Sequence, residues 1–493
     1  MTADEPTGPS PRRLAIALEL DEPRRTRFAA ALAELGIDQV TAGDPACRAV
    51  VTDRIDPSLP SRRARGAQTW LVDQALGEPA NRLSRATGLS PEGVDVLLVD
   101  DGNRRGLWDR DPVWAPLTRS MTAGPGAELT ADLDDLVQRE LPTSSPFRRA
   151  DPVRILVAGH DLGFLAAILR RWRATPGVTV AIDHVPVFAR HDTLASSRAL
   201  ETADVVLVEW CSPVAAWYSR NVTAAQRLSI RLHRVELSNS WTDEVDVSNV
   251  DTVVTVSPHY AQLTRERTSW PAELIHPVAN AVDLERFNRL KLPHAEFNLG
   301  FIGMVPTRKR LDLALKVLAE LRRRDRRYQL FVKTAMPWDY PWNWRERSER
   351  EGTAALLSML AADPDQASGV IFDPHGSDVA AWFTRVGHVL ATSDDESFHL
   401  TLAEGMASGA VPAIRNWPGS DTIYDSRWIH GSALAMAESS DALVTGGGFA
   451  AAATEARRHA AHFDLPTVAD TLLEVVVDGS RPDYAGGHRR NEH

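Results

Sequence analysis

The chain has 493 residues, with 43% hydrophobic and 25% charged side chains, so it is long enough for two or three cores and unlike disordered, fibrous or collagen-like sequences. Its net charge of -11 argues against general binding to nucleic acid, which depends on Lys and Arg displacing counterions from phosphates. Cys47 and Cys211 lie far apart and outside any CxxC or His/Cys pattern, which argues against a disulfide framework or a structural zinc site.

No apolar run approaches the roughly 20 residues needed to span a bilayer. The start, MTADEPTGPS, lacks the basic-then-apolar plan of a signal peptide. A cytoplasmic protein is expected, with peripheral membrane contact left open. In chain order, residues 14–20 (LAIALEL) predict a buried strand and residues 24–35 a helix stopped by Gly36. Strands at 49–52, 69–72 and 94–100 complete a small N-terminal α/β domain over residues 1–145. Asp100 and Asp101 close a strand where open sheets often hold ligands, although such an acidic pair is more commonly a solvated turn. The polar residues 142–152 read as a linker.

From Val153 the strand-helix rhythm restarts. Residues 154–159 (RILVAG) form a strand, GHDLG a tight loop and 165–174 a helix; VTVAID, ADVVLVEW, LSIRLHR and VDTVVTVS supply further strands. Near-continuous Val, Ile and Leu imply strands buried on both faces, hence a parallel sheet with helical crossovers. A second set begins after Pro293, with strands at 297–304, 328–334, 369–375 and 386–393 and helices at 311–323 and 376–385. The expected architecture is two Rossmann-like domains, 151–290 and 296–478, facing a cleft, followed by a disordered tail, 479–493.

Two segments point to chemistry. In ATSDDESFHLTLAEGMASG, Ser397 can cap a short helix and leave the N–H groups of Phe398, His399 and Leu400 free for an anion such as a diphosphate. Glu396 stands before that helix and Glu404 about two turns inside it, and carboxylates accept the paired hydroxyls of a ribose or hexose. In GFIGMVPTRKRLD, Gly303 opens a loop carrying Arg308, Lys309 and Arg310, cations suited to a diphosphate leaving group; a solvated basic helix start is the plainer alternative.

Together these segments resemble the family-four retaining glycosyltransferases, which have the GT-B fold. The resemblance runs from about Val153 to Val477 and rests on the Glu-x7-Glu spacing of Glu396 and Glu404, with IGMVPTRKRLD, VTVSPHY and HPVANAVDLERF matching in order. It implies that Glu404 holds the donor ribose, that Glu396 contacts the transferred sugar and that Lys309 binds the diphosphate. Met304 stands where the family has an Arg, and Arg308 is the substitute. It further implies His233 as a cleft histidine, the GHDLG loop from Gly159 to Gly163 near the donor phosphate and acceptor, and the backbone around Asp373, His375 and Gly376 near the nucleobase.

The function so implied is retaining transfer of a sugar from a nucleotide-diphosphate sugar to a hydroxyl acceptor: a glycan, a lipid-linked acceptor or a small molecule. The nucleotide sugar is a co-substrate; no cofactor and no metal are expected, Asp394 and Asp395 lacking a third ligand. A GT-B nucleotide-sugar epimerase and a non-catalytic nucleotide-sugar-binding module remain alternatives. The aromatic loop at 338–344 (WDYPWNW) lines the cleft or plugs a surface, and Glu209 and Trp210 are acceptor-side candidates.

Overall fold

Runs such as VVLVE and, Arg154 apart, VRILVAG are buried throughout, so they pair in parallel and bury themselves under helical crossovers. In the computed structural model the described residues form three six-stranded sheets. The structure describes residues 152–185, 191–376, 378–481 and 484, and before them 15–19, 24–35, 37–40, 47–52, 68–72, 96–99, 118–120, 133 and 136. The chain divides into two compact units: residues 1–145 with 170–178, and residues 146–169 with 179–493.

In the first unit, β1 (Ala15–Glu19), β2 (Asp38–Val40), β3 (Cys47–Thr52), β4 (Gln68–Val72), β5 (Val96–Val99) and β6 (Thr118–Ser120) pair in the order β2-β1-β3-β4-β5-β6, all in parallel. The helix Arg24–Glu34 turns Phe28 and Leu32 onto Ile16, Leu18, Ala49 and Val51. Ala174 joins this cluster, and residues 170–178, the end of the helix Ala166–Ala174 among them, are assigned to the first unit. Asp100, Asp101 and linker residues 142–151 lie outside the described residues.

In the second unit, β7 (Val153–Gly159), β8 (Val178–His184), β9 (Val205–Glu209), β10 (Arg227–Arg231), β11 (Thr252–Thr255) and β12 (Ile275–Pro277) form one sheet in the order β12-β11-β10-β9-β7-β8. The other contains β13 (Asn298–Ile302), β14 (Gln329–Thr334), β15 (Val370–Pro374), β16 (His388–Ala391), β17 (Val411–Arg415) and β18 (Ile429–His430) in the order β15-β14-β13-β16-β17-β18. In each, strand order reverses once, between β7 and β9 and between β13 and β16. The crossovers depart to opposite faces there, and the crevice beyond the strand ends is where such sheets take ligands.

The two halves of this unit share a core in which Val256, Ala279, Val282 and Phe287 pack with Trp382, Phe383, Phe398 and Met406. The last helix, Leu465–Asp478, follows the C-terminal sheet in sequence yet packs against β9 and β10. Lys291, in the connecting segment, donates to the carbonyls of Phe383 and Val386 and to Ser408 Oγ at 2.8, 2.7 and 2.8 Å. Burial, with Arg457 nearby, lowers its ammonium to about 7. Within the stretch expected to be disordered, Tyr484 donates its hydroxyl to the Val256 carbonyl at 3.2 Å. Among the described residues no helix is long and apolar enough to cross a membrane.

Candidate active site

β13 and β16 deliver the two sequence-predicted segments to one crevice. Beyond β13, Gly303 has φ +79°, and a Cβ there would meet nothing within 4 Å, so glycine serves the backbone turn rather than a tight contact. Gly303→Ala is therefore expected to cost about 1 kcal/mol through backbone conformation alone, read as a lower Tm; an unchanged Tm would contradict this. Met304 follows and packs, 8% exposed, among Leu311, Leu315 and Leu356. An arginine head at 304 would have to enter that apolar cluster.

A 3-10 turn, Thr307–Lys309, is pinned to the end of β16: Thr392 Oγ1 donates to the carbonyls of Lys309 and Arg310 at 3.0 and 2.8 Å, and the Asp394 amide donates to the Arg308 carbonyl at 2.9 Å. Glu349 fastens the other side, accepting from the Thr307 amide and hydroxyl at 2.8 and 2.9 Å. Three loop cations thereby separate in role. Arg310 is taken by Asp312 and Asp394. Arg308 donates to the Asp395 carbonyl and, at 3.3 Å, to Glu396 Oε1. Lys309 Nζ lies 2.6 Å from the same Glu396 oxygen, which also accepts from Ser393 Oγ at 2.8 Å.

Burial opposes ionisation of Glu396, but His399, Lys309 and Arg308 outweigh it and hold the carboxyl at about 2. Burial lowers His399 itself to about 4, so near neutrality the cations beside Glu396 are Lys309 and Arg308. The helix starts later than the sequence implied: it spans Leu400–Ala407, its N-cap is His399 in the left-handed region, and no side chain caps it. Ser397 does not cap it, and Phe398 turns into the core with its carbonyl accepting from Tyr424 Oη at 2.9 Å. Glu404 is consequently one turn inside rather than two. Its carboxylate has no hydrogen-bond partner among the described residues, and burial, partly offset by Arg286, raises it to about 7.

On the facing half, the switch point between β7 and β9 holds a buried polar chain. Glu209 Oε1 accepts from Arg231 Nη1 at 2.6 Å and lies 2.9 Å from His233 Nε2, while Arg231 also reaches Asn280. Burial disfavours the Glu209 charge, and Arg231 and His233 more than compensate. The His233 ring stacks on Trp210 at 4.0 Å and on Phe164 at 5.4 Å, so it is 6% exposed and held from three sides. Gly159 permits the close approach of β7 and β9, because a Cβ would stand 3.1 Å from Glu209 Cβ, and the Gly163 amide closes a turn on Asp161 at 2.8 Å. His375 is exposed beyond β15, the edge strand, with its amide on the Thr334 carbonyl.

Sequence reasoning missed the link between the halves. Asp395 accepts from Tyr260 Oη at 3.0 Å and faces Arg234 at 3.4 Å, both from the N-terminal half, one residue before Glu396. Asp394 is held by Arg310 and Arg415. Among the described residues no group of three or more His, Cys, Asp or Glu side chains could hold a metal ion. The signal for the buried chain was present: Glu209 is the one charge in the otherwise apolar strand VVLVE, and Arg231 closes the neighbouring strand RLSIR, buried from Leu228 on. Of the four non-glycine residues in the left-handed region among those described, Trp210, Arg310 and His399 all border these two crevices. Each such residue costs on the order of 1–3 kcal/mol, which surrounding contacts must offset.

No protein-family model and no curated protein matches the chain. Solved structures do. Anabaena HepE in complex with UDP and glucose superposes with a TM-score of 0.52 at 14% identity, over 66% of this chain and 100% of that one. A glycosyltransferase from Rickettsia africae ESF-5 gives 0.53 at 14% identity, over 67% and 99%. The chain has the GT-B fold. In GT-B terms the β13–β18 sheet is the C-terminal Rossmann-like domain and carries Lys309, Glu396 and Glu404, while the β7–β12 sheet carries His233, Glu209 and Trp210.

Proposed function

We propose that this protein is a retaining glycosyltransferase of the family-four type, moving a sugar from a nucleotide-diphosphate sugar to a hydroxyl of a glycan, lipid-linked or small-molecule acceptor. The observation that carries the reading is the meeting of Lys309 and Arg308 from the β13 end with Glu396 from the β16 end, just ahead of the Leu400–Ala407 helix that carries Glu404 one turn inside. HepE, whose fold it shares at low identity, has also been crystallised with UDP-glucose.

Lys309 and Arg308 would neutralise the leaving diphosphate, an electrostatic contribution made where charge develops. Glu404 would receive the ribose hydroxyls and Glu396 the hydroxyls of the transferred sugar. As the bond from the anomeric carbon to the phosphate oxygen breaks, the acceptor oxygen bonds to that carbon from the same face and its proton passes to the departing diphosphate. The protein positions the two reactants, and Trp210 and His233 supply the facing wall.

The test is slow hydrolysis of a labelled panel containing UDP-glucose, UDP-GlcNAc, GDP-mannose and ADP-glucose, which needs no acceptor. Release of free sugar from one member above the no-protein rate is expected. Interconversion of the donor without hydrolysis would assign an epimerase instead, and binding without turnover a non-catalytic module.

A further inference from the structure

The imidazole of His399 is a group the transferase reading does not use. Its backbone sits at φ +63°, ψ +65°, where a glycine would be unstrained and histidine is not. The side chain is 8% exposed, its ring lies 5.8 Å from Trp417 at an interplanar angle of 27°, and its Nδ1 is buried with no hydrogen-bond partner among the described residues. A strained backbone, a buried ring and an unpartnered nitrogen are each unfavourable, and together they occupy the entrance of the Leu400–Ala407 helix. Burial keeps the ring neutral near pH 7, so it offers one donor and one acceptor rather than a charge. The helix gains nothing from the side chain, because it makes no capping bond.

We propose that the His399 imidazole is a donor-recognition group that hydrogen-bonds a hydroxyl of the transferred sugar beside Glu396, and that the left-handed backbone is kept for this contact. A neutral imidazole suits a hydroxyl, which can both give and take a hydrogen bond, and His399 stands three residues after Glu396 in the short segment that enters the Leu400–Ala407 helix. This rests on the transferase reading.

The test compares wild type, His399→Gly and His399→Asn, the last because Asn tolerates the left-handed region and retains a polar head. Measured quantities are Tm, affinity for the bare nucleoside diphosphate, and kcat/KM for hydrolysis of whichever panel member wild type hydrolyses fastest. For His399→Gly we expect an equal or higher Tm, bare-nucleotide affinity within twofold of wild type, and kcat/KM at least tenfold lower, with His399→Asn intermediate. Wild-type kcat/KM in His399→Gly overturns the proposal, as does a loss of Tm with an equal loss of bare-nucleotide affinity, which would mark the ring as structural. A wild type that neither binds nor hydrolyses any panel member overturns the transferase reading and this proposal with it, so the two failures are distinguishable.

Discussion

Lys309→Ala is expected to weaken binding of a nucleoside diphosphate by about 1.5–3 kcal/mol, the cost of one charge-assisted hydrogen bond, when measured by calorimetry. The same change should move Glu396. Its carboxyl is held at about 2 against burial, with Lys309 Nζ at 2.6 Å supplying both charge and a hydrogen bond. Without the ammonium, burial is opposed by less, so the carboxyl rises toward its ordinary value of 4.5. The sign for stability follows. A carboxylate whose folded value is depressed contributes stability above pH 4.5 that is lost as pH falls through the folded value near 2. In Lys309→Ala that contribution shrinks at neutral pH and is lost at higher pH than in wild type. Acid unfolding of the variant should thus begin earlier. Arg308→Ala should follow with a smaller shift, because Arg308 is 3.3 Å from the carboxylate and divides its donors with the Asp395 carbonyl. Unchanged nucleotide binding in both variants would remove this loop from the donor site.

The parallel sheets were legible because strands such as β7, β9, β11 and β16 are buried almost throughout and read as Val- and Ile-rich runs, while the GT-B arrangement came from the family resemblance. Segment order then placed the β13 loop and the Glu396–Glu404 segment at one crevice. Local backbone was less legible. Ser397 followed by polar and apolar residues is a good capping pattern, yet the chain enters the helix through His399, because Phe398 is drawn into a cluster with Phe463 and Tyr424 from distant segments. The roles of adjacent cations could not be separated by sequence either. Arg308, Lys309 and Arg310 look alike in a string, and only the positions of Asp312, Asp394 and Glu396 decide which cation pairs with which carboxylate. Contacts such as Tyr260–Asp395 join residues more than a hundred positions apart, and no local pattern encodes them.

Glu396→Gln and Glu404→Gln are expected to fail in opposite ways. Glu404 has no hydrogen-bond partner among the described residues, and the ribose it would hold is present in any nucleotide, so Glu404→Gln should weaken bare nucleoside diphosphate and nucleotide sugar alike. Glu396 already shares Lys309 and Arg308; Glu396→Gln releases them, so bare-nucleotide affinity should hold or improve. Its sugar contact matters when the glycosidic bond breaks, and the single-turnover rate should fall on the order of 100-fold, the size typical of one group aimed at the transition state. A pH series adds an independent reading of Glu404. Burial raises its carboxyl from 4.5 to about 7, so between those values the folded protein holds more protons than the unfolded chain and the Glu404 contribution to stability falls as pH rises. The ionised carboxylate accepts two hydroxyls and the protonated acid accepts less well. Affinity for a nucleotide sugar, whose diphosphate does not titrate in this range, should therefore climb from pH 6 to pH 8 in wild type and stay level in Glu404→Gln. If Glu396→Gln weakens bare nucleotide as much as Glu404→Gln, or the pH dependence survives in Glu404→Gln, the division of labour between the two glutamates is wrong.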